Sequence, residues 1–239
     1  MKVVLIEAGP NLLGALSSEA QKKAMDYLIK LGVEIHVSTR VLDYDGQVVT
    51  LDGKDPIQTQ TLLWAAGIKP NRIDGLGDEF YSGNGRLFVD EYNTLKDTEG
   101  IFVLGDQCLM PGGAYPKGHP QVAQVALQQA RNLAENLKNL SKGKSMIPFS
   151  YKDLGSMATI GRKLAVVDLP FLKFQGTLAW MTWLFVHLMA ILGVKNKLFI
   201  FLDWSWNYLS FDPSLRLLIR PKYVRVSERK ELIEAKTSV

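Results

Sequence analysis

Apolar and polar positions along this chain fall into blocks whose period changes, and the changes mark the elements. Residues 3–7 are an apolar, β-branched run ended by an acid, the pattern of a short buried strand. Ser18 and Gln21 stand at the spacing of a capping box. Ala24, Tyr27, Leu28 and Leu31 follow at helical spacing, with Gly32 at the C-terminal position that favours glycine. Residues 33–39 return to a strand pattern. Strand, helix and strand in this order predict a parallel βαβ unit. Val48–Leu51, set between Asp45-Gly46 and Asp52-Gly53, predicts one arm of a hairpin. Residues 61–66 predict a returning buried strand, and residues 86–89 and 101–104 two further short strands. Alanine and leucine recur from Gln121 to about Leu140 and predict a long helix. Residues 139–145 are polar and mark a boundary. Strand-like pieces follow over 149–168.

The pattern then changes. Residues 178–194 carry no charge, and after Lys195-Asn196-Lys197 a second aromatic-rich run covers 198–211. As helix, 17 residues reach roughly 25 Å, the short edge of a membrane span. From the residues alone a span, a helix lying in the interface and a buried core helix all stay open. Trp180, Trp183, Trp204, Trp206 and Tyr208 suit a headgroup boundary.

Composition narrows the choices. The 239 residues are 47% hydrophobic and 22% charged, ordinary globular values that allow a sizeable core. The single cysteine, Cys108, rules out an internal disulfide, and no Cys/His spacing suits zinc. No secretory signal is expected at the start, which predicts a reducing, cytoplasmic chain. Residues 213–239 hold seven of the 28 Lys/Arg but three of the 24 Asp/Glu, so the whole +4 excess lies in that tail. A basic tail attracts nucleic acid or an anionic membrane. The uncharged aromatic runs before it favour the membrane and exclude nucleic acid as the expected partner.

Four places could carry chemistry. Glu7 closes a strand of a βαβ unit, where an acid accepts hydrogen bonds from a nucleotide ribose; an ordinary loop carboxylate is the alternative. Ala66 and Gly67 end an apolar run, and small residues there allow close approach of a cofactor, or simply a tight turn. Gly105-Asp106 follows Ile101-Phe102-Val103-Leu104 and would put a carboxylate at the carboxyl edge of a sheet, where α/β proteins bind ligands; otherwise Asp106 caps the next segment. Tyr115 to Gln129, with Pro116 and Pro120, leads into a helix whose first turn carries unpaired N–H groups and partial positive charge. A reduced flavin would be stabilised there; a Gln-rich surface helix is the plain alternative, and His119 reads as a loop residue.

In order and spacing these stretches resemble a known family. Ile6-Glu7-Ala8-x-Pro10-x-Leu12-Leu13, Leu63-Trp64-Ala65-Ala66-Gly67, Phe102-Val103-Leu104-Gly105-Asp106 and Ala123-Gln124-x-Ala126-x-Gln128-Gln129 are similar to type II NADH:quinone oxidoreductases, two-dinucleotide-binding flavoproteins. The resemblance implies an α/β, Rossmann-like fold with a C-terminal helical membrane-binding region. Residues 1–75 would be part of the NADH-binding domain, 76–148 the C-terminal part of the FAD-binding domain, and 149–239 the region with the anchoring helices. The implied activity is oxidation of NADH through FAD with a membrane quinone as acceptor. Glu7, Ala66, Gly67, Gly105, Asp106, Ala123 and Gln124 would bind the cofactors FAD and NAD, and Gln124 and Gln128 would act at the flavin and quinone. No metal is implied. The implied location is the cytoplasmic face of the plasma membrane, peripheral, on an anionic lipid surface, with a homodimer admitted. The family's N-terminal half, with both glycine fingerprints, has no counterpart here, so an N-terminally truncated chain is expected; a non-catalytic membrane-associated fragment, or a related enzyme such as a ferredoxin reductase, is the alternative. Disulfide and sulfide:quinone reductases need paired cysteines, which a solitary Cys108 disfavours.

Overall fold

The computed structural model describes residues 2–191 and 193–210. The chain divides into two compact units, residues 1–183 and 184–239. The first opens with β1 (Val3–Ile6), α1 (Ser18–Lys30) and β2 (Val33–His36). β1 and β2 pair in parallel, Val3 opposite Val33 and Ile6 opposite His36, as the strand-helix-strand pattern predicts. α1 ends with Gly32 at φ 80°, where a side chain would be strained.

The start of α1 differs from the capping-box expectation. The N-cap is Ser17, not Ser18, and no side chain caps it. The Ser17 N–H donates instead to Asp168 Oδ2 at 2.5 Å, and Gln21 turns its Nε2 to the Leu16 carbonyl at 2.7 Å. A distant carboxylate has taken the role that the glutamine of a capping box would have played.

β3 (Val41–Tyr44), β4 (Val48–Leu51) and β5 (Lys54–Gln58) form an antiparallel meander, which confirms the hairpin at 48–51. Residues 61–66 are not a strand. They run unpaired, with Leu63 88% and Trp64 66% exposed. The run joins none of the sheets among the described residues, and its apolar side chains remain uncovered. The expected strand at 86–89 shortens to β6 (Leu87–Phe88), parallel to β7 (Cys108–Leu109). Residues 101–104 form no strand. Phe102 makes one bridge to Thr94, and the Ile101 carbonyl accepts from Leu95, because the chain folds back on its own turn at Asn93 (φ 65°). Leu87, Val89, Leu95, Val103, Cys108 and Met110 form the core of this region.

The predicted long helix is α2 (Ala123–Leu140). Beyond it β8 (Ser156–Thr159), β9 (Ala165–Asp168) and β10 (Lys173–Gly176) make a second meander. Its side chains alternate as a two-faced strand requires. Val166 packs with Ala20 and Ala24 of α1, while Ala165 and Val167 pack with Ala179 at the start of α3 (Thr177–Ala190). α4 (Val194–Ser210) completes the described chain. No helix among the described residues is long and apolar enough to cross a membrane. The basic tail at 213–239 lies outside the described residues.

Candidate active site

The parallel pair presents its carboxyl ends together. β1 runs into Glu7, whose N–H donates to the His36 carbonyl (2.8 Å) and whose carbonyl accepts from Thr39 (3.0 Å). The half-buried Glu7 carboxylate is aimed by its own loop, Oε1 accepting from the Gly9 N–H at 2.6 Å. Sequence reasoning placed an acid at this edge, and the edge is there.

A second edge is built around Gly105. A short 3₁₀ turn, Gly105–Gln107, carries Asp106, and Gly105 sits at φ 63°. A Cβ on Gly105 would lie 3.1 Å from the Ala126 Cβ, so glycine and alanine together let the turn close on α2. The Gly105 N–H donates to Gln129 Oε1 at 2.7 Å, and Gln121 Nε2 donates to the Asp106 carbonyl at 3.2 Å. Asp106 therefore stands, half-buried, beside the start of α2. That start has a valine N-cap, no capping side chain and no acid in its first turn. An uncapped, positively polarised helix end next to a carboxylate and a side-chain-free turn fits a ligand that is anionic at one part and hydroxylated at another, as a flavin dinucleotide is. Ala66 and Gly67 lie in the exposed stretch after β5, Gly67 at φ 96°. Gln107 Nε2 reaches the Asn71 carbonyl at 3.4 Å and ties that stretch to the Gly105 turn.

Gln124 and Gln128 do not offer their amides to the helix N-terminus. Gln124 donates to the Gly155 carbonyl (3.2 Å) and accepts from the Leu154 N–H (3.2 Å); Gln128 donates to the Lys152 carbonyl (2.9 Å) and accepts from its N–H (3.0 Å). Asn136 repeats the pattern on Ile147, at 2.9 and 2.7 Å, and Asn132 joins it at 3.2 Å. One face of α2 thus carries amides at 124, 128, 132 and 136, a spacing of four that keeps them in line. They strap down the extended backbone of residues 147–155.

Two buried polar groups, Gln129 and Arg86, had no individual role in the sequence reading. Gln129 is fully buried, and its Nε2 lies 3.2 Å from Cys108 Sγ. Burial pushes the Cys108 thiol above its ordinary pKa, with Gln129 and Arg86 pulling the other way. Arg86 is buried and donates from Nε to the Cys108 carbonyl (2.7 Å) and from Nη2 to the His119 carbonyl (3.1 Å), which holds the approach to α2 against β7. Burial lowers its pKa, as it does that of His119. His119 is itself packed among Tyr115, Phe149 and Tyr151, with ring centroids 4.6, 5.4 and 5.5 Å away. Tyr151 is pushed up to about 12 by burial and by Asp153. The amide spacing on α2 was visible in the sequence; the burial of Arg86 and Gln129 had no local signal.

Residues 1–130 match the family described as pyridine nucleotide-disulphide oxidoreductase, and residues 154–210 match the NDH2 C-terminal domain. Among curated proteins, the type II NADH:quinone oxidoreductase NdhA of Mycobacterium tuberculosis is 31% identical over 221 residues, 87% of this chain and 46% of the relative. The type II NADH:quinone oxidoreductase of Staphylococcus aureus is 32% identical over 167 residues, 67% of this chain and 40% of the relative. The chain therefore spans about half the length of the curated relatives it matches. NDH2 from Plasmodium falciparum, solved in complex with NADH, superposes with a TM-score of 0.77 at 17% identity, over 87% of this chain and 58% of that one. A ferredoxin reductase from Rhodopseudomonas palustris superposes at 0.54 and 20% identity, over 71% of this chain and 42% of that one.

Proposed function

The chain belongs to the pyridine nucleotide-disulphide oxidoreductase family and is a homologue of the type II NADH:quinone oxidoreductases, and on that premise we propose that it serves the passage of electrons from NADH through FAD to a membrane quinone. The observation that carries this reading is the uncapped start of α2 beside Asp106, with Gly105 and Ala126 clearing the space between them. The NDH2 C-terminal match favours it over a ferredoxin reductase.

Each residue has a role in this reading. Asp106 accepts a hydrogen bond from a hydroxyl of the FAD ribityl chain. The first turn of α2, at Ala123 and Gln124, directs N–H groups and positive potential at the flavin ring. Gln124 and Gln128 line the approach of the quinone. Glu7 accepts from the adenosine ribose of NADH, and Ala66 and Gly67 allow a nucleotide to come close. The redox chemistry itself, acceptance of a hydride and delivery of two electrons, is what bound FAD supplies. Residues 1–75 then belong to the NADH domain, 76–148 to the FAD domain and 149–239 to a membrane-binding region. In that region α3 and α4 lie in the interface rather than across it, on the cytoplasmic face of the plasma membrane.

The test is to assay the chain alone and joined to the N-terminal half of the mycobacterial relative. The expected result is that the joined protein retains FAD and oxidises NADH with a quinone acceptor, preferring NADH to NADPH because Glu7 repels a 2′-phosphate. A folded joined protein without flavin would overturn the reading. Asp106→Ala should weaken FAD retention roughly tenfold, the loss of one hydrogen bond to a charged group.

A further inference from the structure

The β9–β10 hairpin ends in a two-residue turn, Pro170-Phe171, closed by the Leu169 N–H donating to the Leu172 carbonyl at 3.0 Å. Phe171 is 100% exposed, Leu172 58%, and Leu154 on the neighbouring strap 55%. The tip is rigidly based. A Cβ on Gly155 would lie 2.6 Å from the Asp168 carbonyl oxygen and 2.7 Å from the Leu169 Cα, so the strap backbone is pressed against the hairpin. Asp168 at the base accepts from the Ser17 N–H and pairs with Lys173 at 3.3 Å. A well-held turn has therefore been built to present an uncovered phenylalanine.

We propose that this tip is a membrane wedge: Phe171, with Leu172 and Leu154 beside it, inserts into the interfacial layer of a phospholipid bilayer. The proposal rests on the membrane reading above and adds a contact outside α3 and α4. Three observations favour lipid over protein. The tip is a small convex protrusion, far below the roughly 800 Å² per partner of a stable protein interface. The charges at its base, Asp153, Asp168 and Lys173, stand where headgroups and water would solvate them, while the tip itself is apolar. Finally, α3 starts where β10 ends and lays Ala179 and Trp180 on the same cluster that takes Leu169 from the hairpin base. The uncharged helix and the tip thus adjoin on one face of one sheet.

The charges at the base carry no cationic excess, so insertion is driven by apolar burial and should not depend on anionic lipid. The experiment places a single environment-sensitive fluorophore at Phe171→Cys in the full chain. Cys108, 1% exposed, resists labelling. Lys22→Cys, on the exposed face of α1, is the comparison site. Vesicles are phosphatidylcholine alone, or mixed with phosphatidylglycerol. The expected result is a several-fold rise in emission at 171, quenched by acyl-chain spin labels, equal in both vesicle types for bound protein and absent at 22. Phe171→Asp should lower vesicle partition roughly tenfold, the value of burying one phenylalanine. If vesicles bind the chain while the probe at 171 stays dark, the wedge is overturned and the α3–α4 reading stands. If no vesicle binds, both fall. If the probe brightens without lipid as the chain self-associates, the tip is a protein contact and the wedge is again overturned.

Discussion

Gln129 lies fully buried on α2, and its side-chain hydrogen bonds go to the Gly105 turn and to Cys108. Its carbonyl oxygen is the partner that the structure gives the Gly105 N–H. Gln129→Leu preserves volume but strands that donor, which should destabilise the fold by about 2 kcal/mol, read from the urea midpoint at unchanged slope. A variant as stable as the parent would mean that the turn is held by Gly105 and Ala126 alone. His119 gives a pH signature at the same scale. Burial, then the Arg86 charge, lowers its pKa below the ordinary 6.5, and its Nδ1 is buried without a partner. The unfolded chain then binds the proton more readily than the folded one. Stability falls as pH drops through about 6.5 and is flat well above it. Melting temperatures between about pH 7.5 and 5.5 should show that slope, and His119→Phe, which fits the aromatic surround, should reduce it. What was legible here was chemistry at chain turns. Glu7 stands at the end of β1, where the apolar run announces a strand, whereas the apolar run before Gly105-Asp106 forms no strand and that turn is held by Gln129 instead. The orientation of Gln124 and Gln128 was not legible, because an amide on an exposed-looking helix face is drawn to whatever backbone folds over it, and residues 147–155 come from elsewhere in the chain.

At the scale of elements, α2 is held to its surroundings through amides rather than through a wide apolar stripe. Residues 147–155 run antiparallel to it, each strapped N–H and carbonyl satisfied by a side chain. Gln128→Ala releases both backbone groups of Lys152, which are exposed and can return to water, so the loss should be about 1 kcal/mol. Limited trypsin should then cut after Lys152 several-fold faster. Asn136→Ala removes a fully buried amide that satisfies both backbone groups of Ile147, and should destabilise by about 2 kcal/mol. Equal trypsin rates in parent and Gln128→Ala would show that the strap is held by its other contacts. The βαβ start, the hairpin at Val48–Leu51 and the helix to Leu140 were readable because period and turn residues agree there. Residues 61–66 have the composition of a buried strand and yet run exposed. Apolar composition reports that a segment needs covering; it does not say that the cover is at hand. The capping box misled for a related reason. Ser17 sits one residue earlier, and the carboxylate that fixes it comes from Asp168, about 150 residues away in the chain.

At the scale of the whole molecule, the chain changes character inside α3 rather than before it. In the sequence the composition changes at residue 178, where charge disappears. The structure keeps Ala179 at 0% exposure against Val167 and Ala165, and the compact first unit runs to Trp183. A cut at 176 would therefore uncover the β8–β10 sheet, whereas a cut after 183 should leave it closed. Deleting residues 184–239 removes α4, the rest of α3 and the tail that carries the whole excess of positive charge. Each Lys or Arg near an anionic surface contributes roughly 1 kcal/mol, and the apolar helix faces add about 25 cal/mol per Å² buried. Vesicle binding should accordingly drop by orders of magnitude, leaving only what the hairpin tip sustains. None of the residues placed at FAD or NADH lies beyond Gln128. The same deletion in the protein joined to the mycobacterial N-terminal half should thus keep NADH oxidation with a soluble electron acceptor, and lose it with a quinone held in vesicles. The companion deletion from 177 should unfold at lower urea, because Val167 and Ala165 lose their cover. Undiminished vesicle binding after the 184–239 deletion would place the anchor in the first unit and remove α3 and α4 from the role given them here. An unfolded product would instead make the C-terminal half of α3 part of the core.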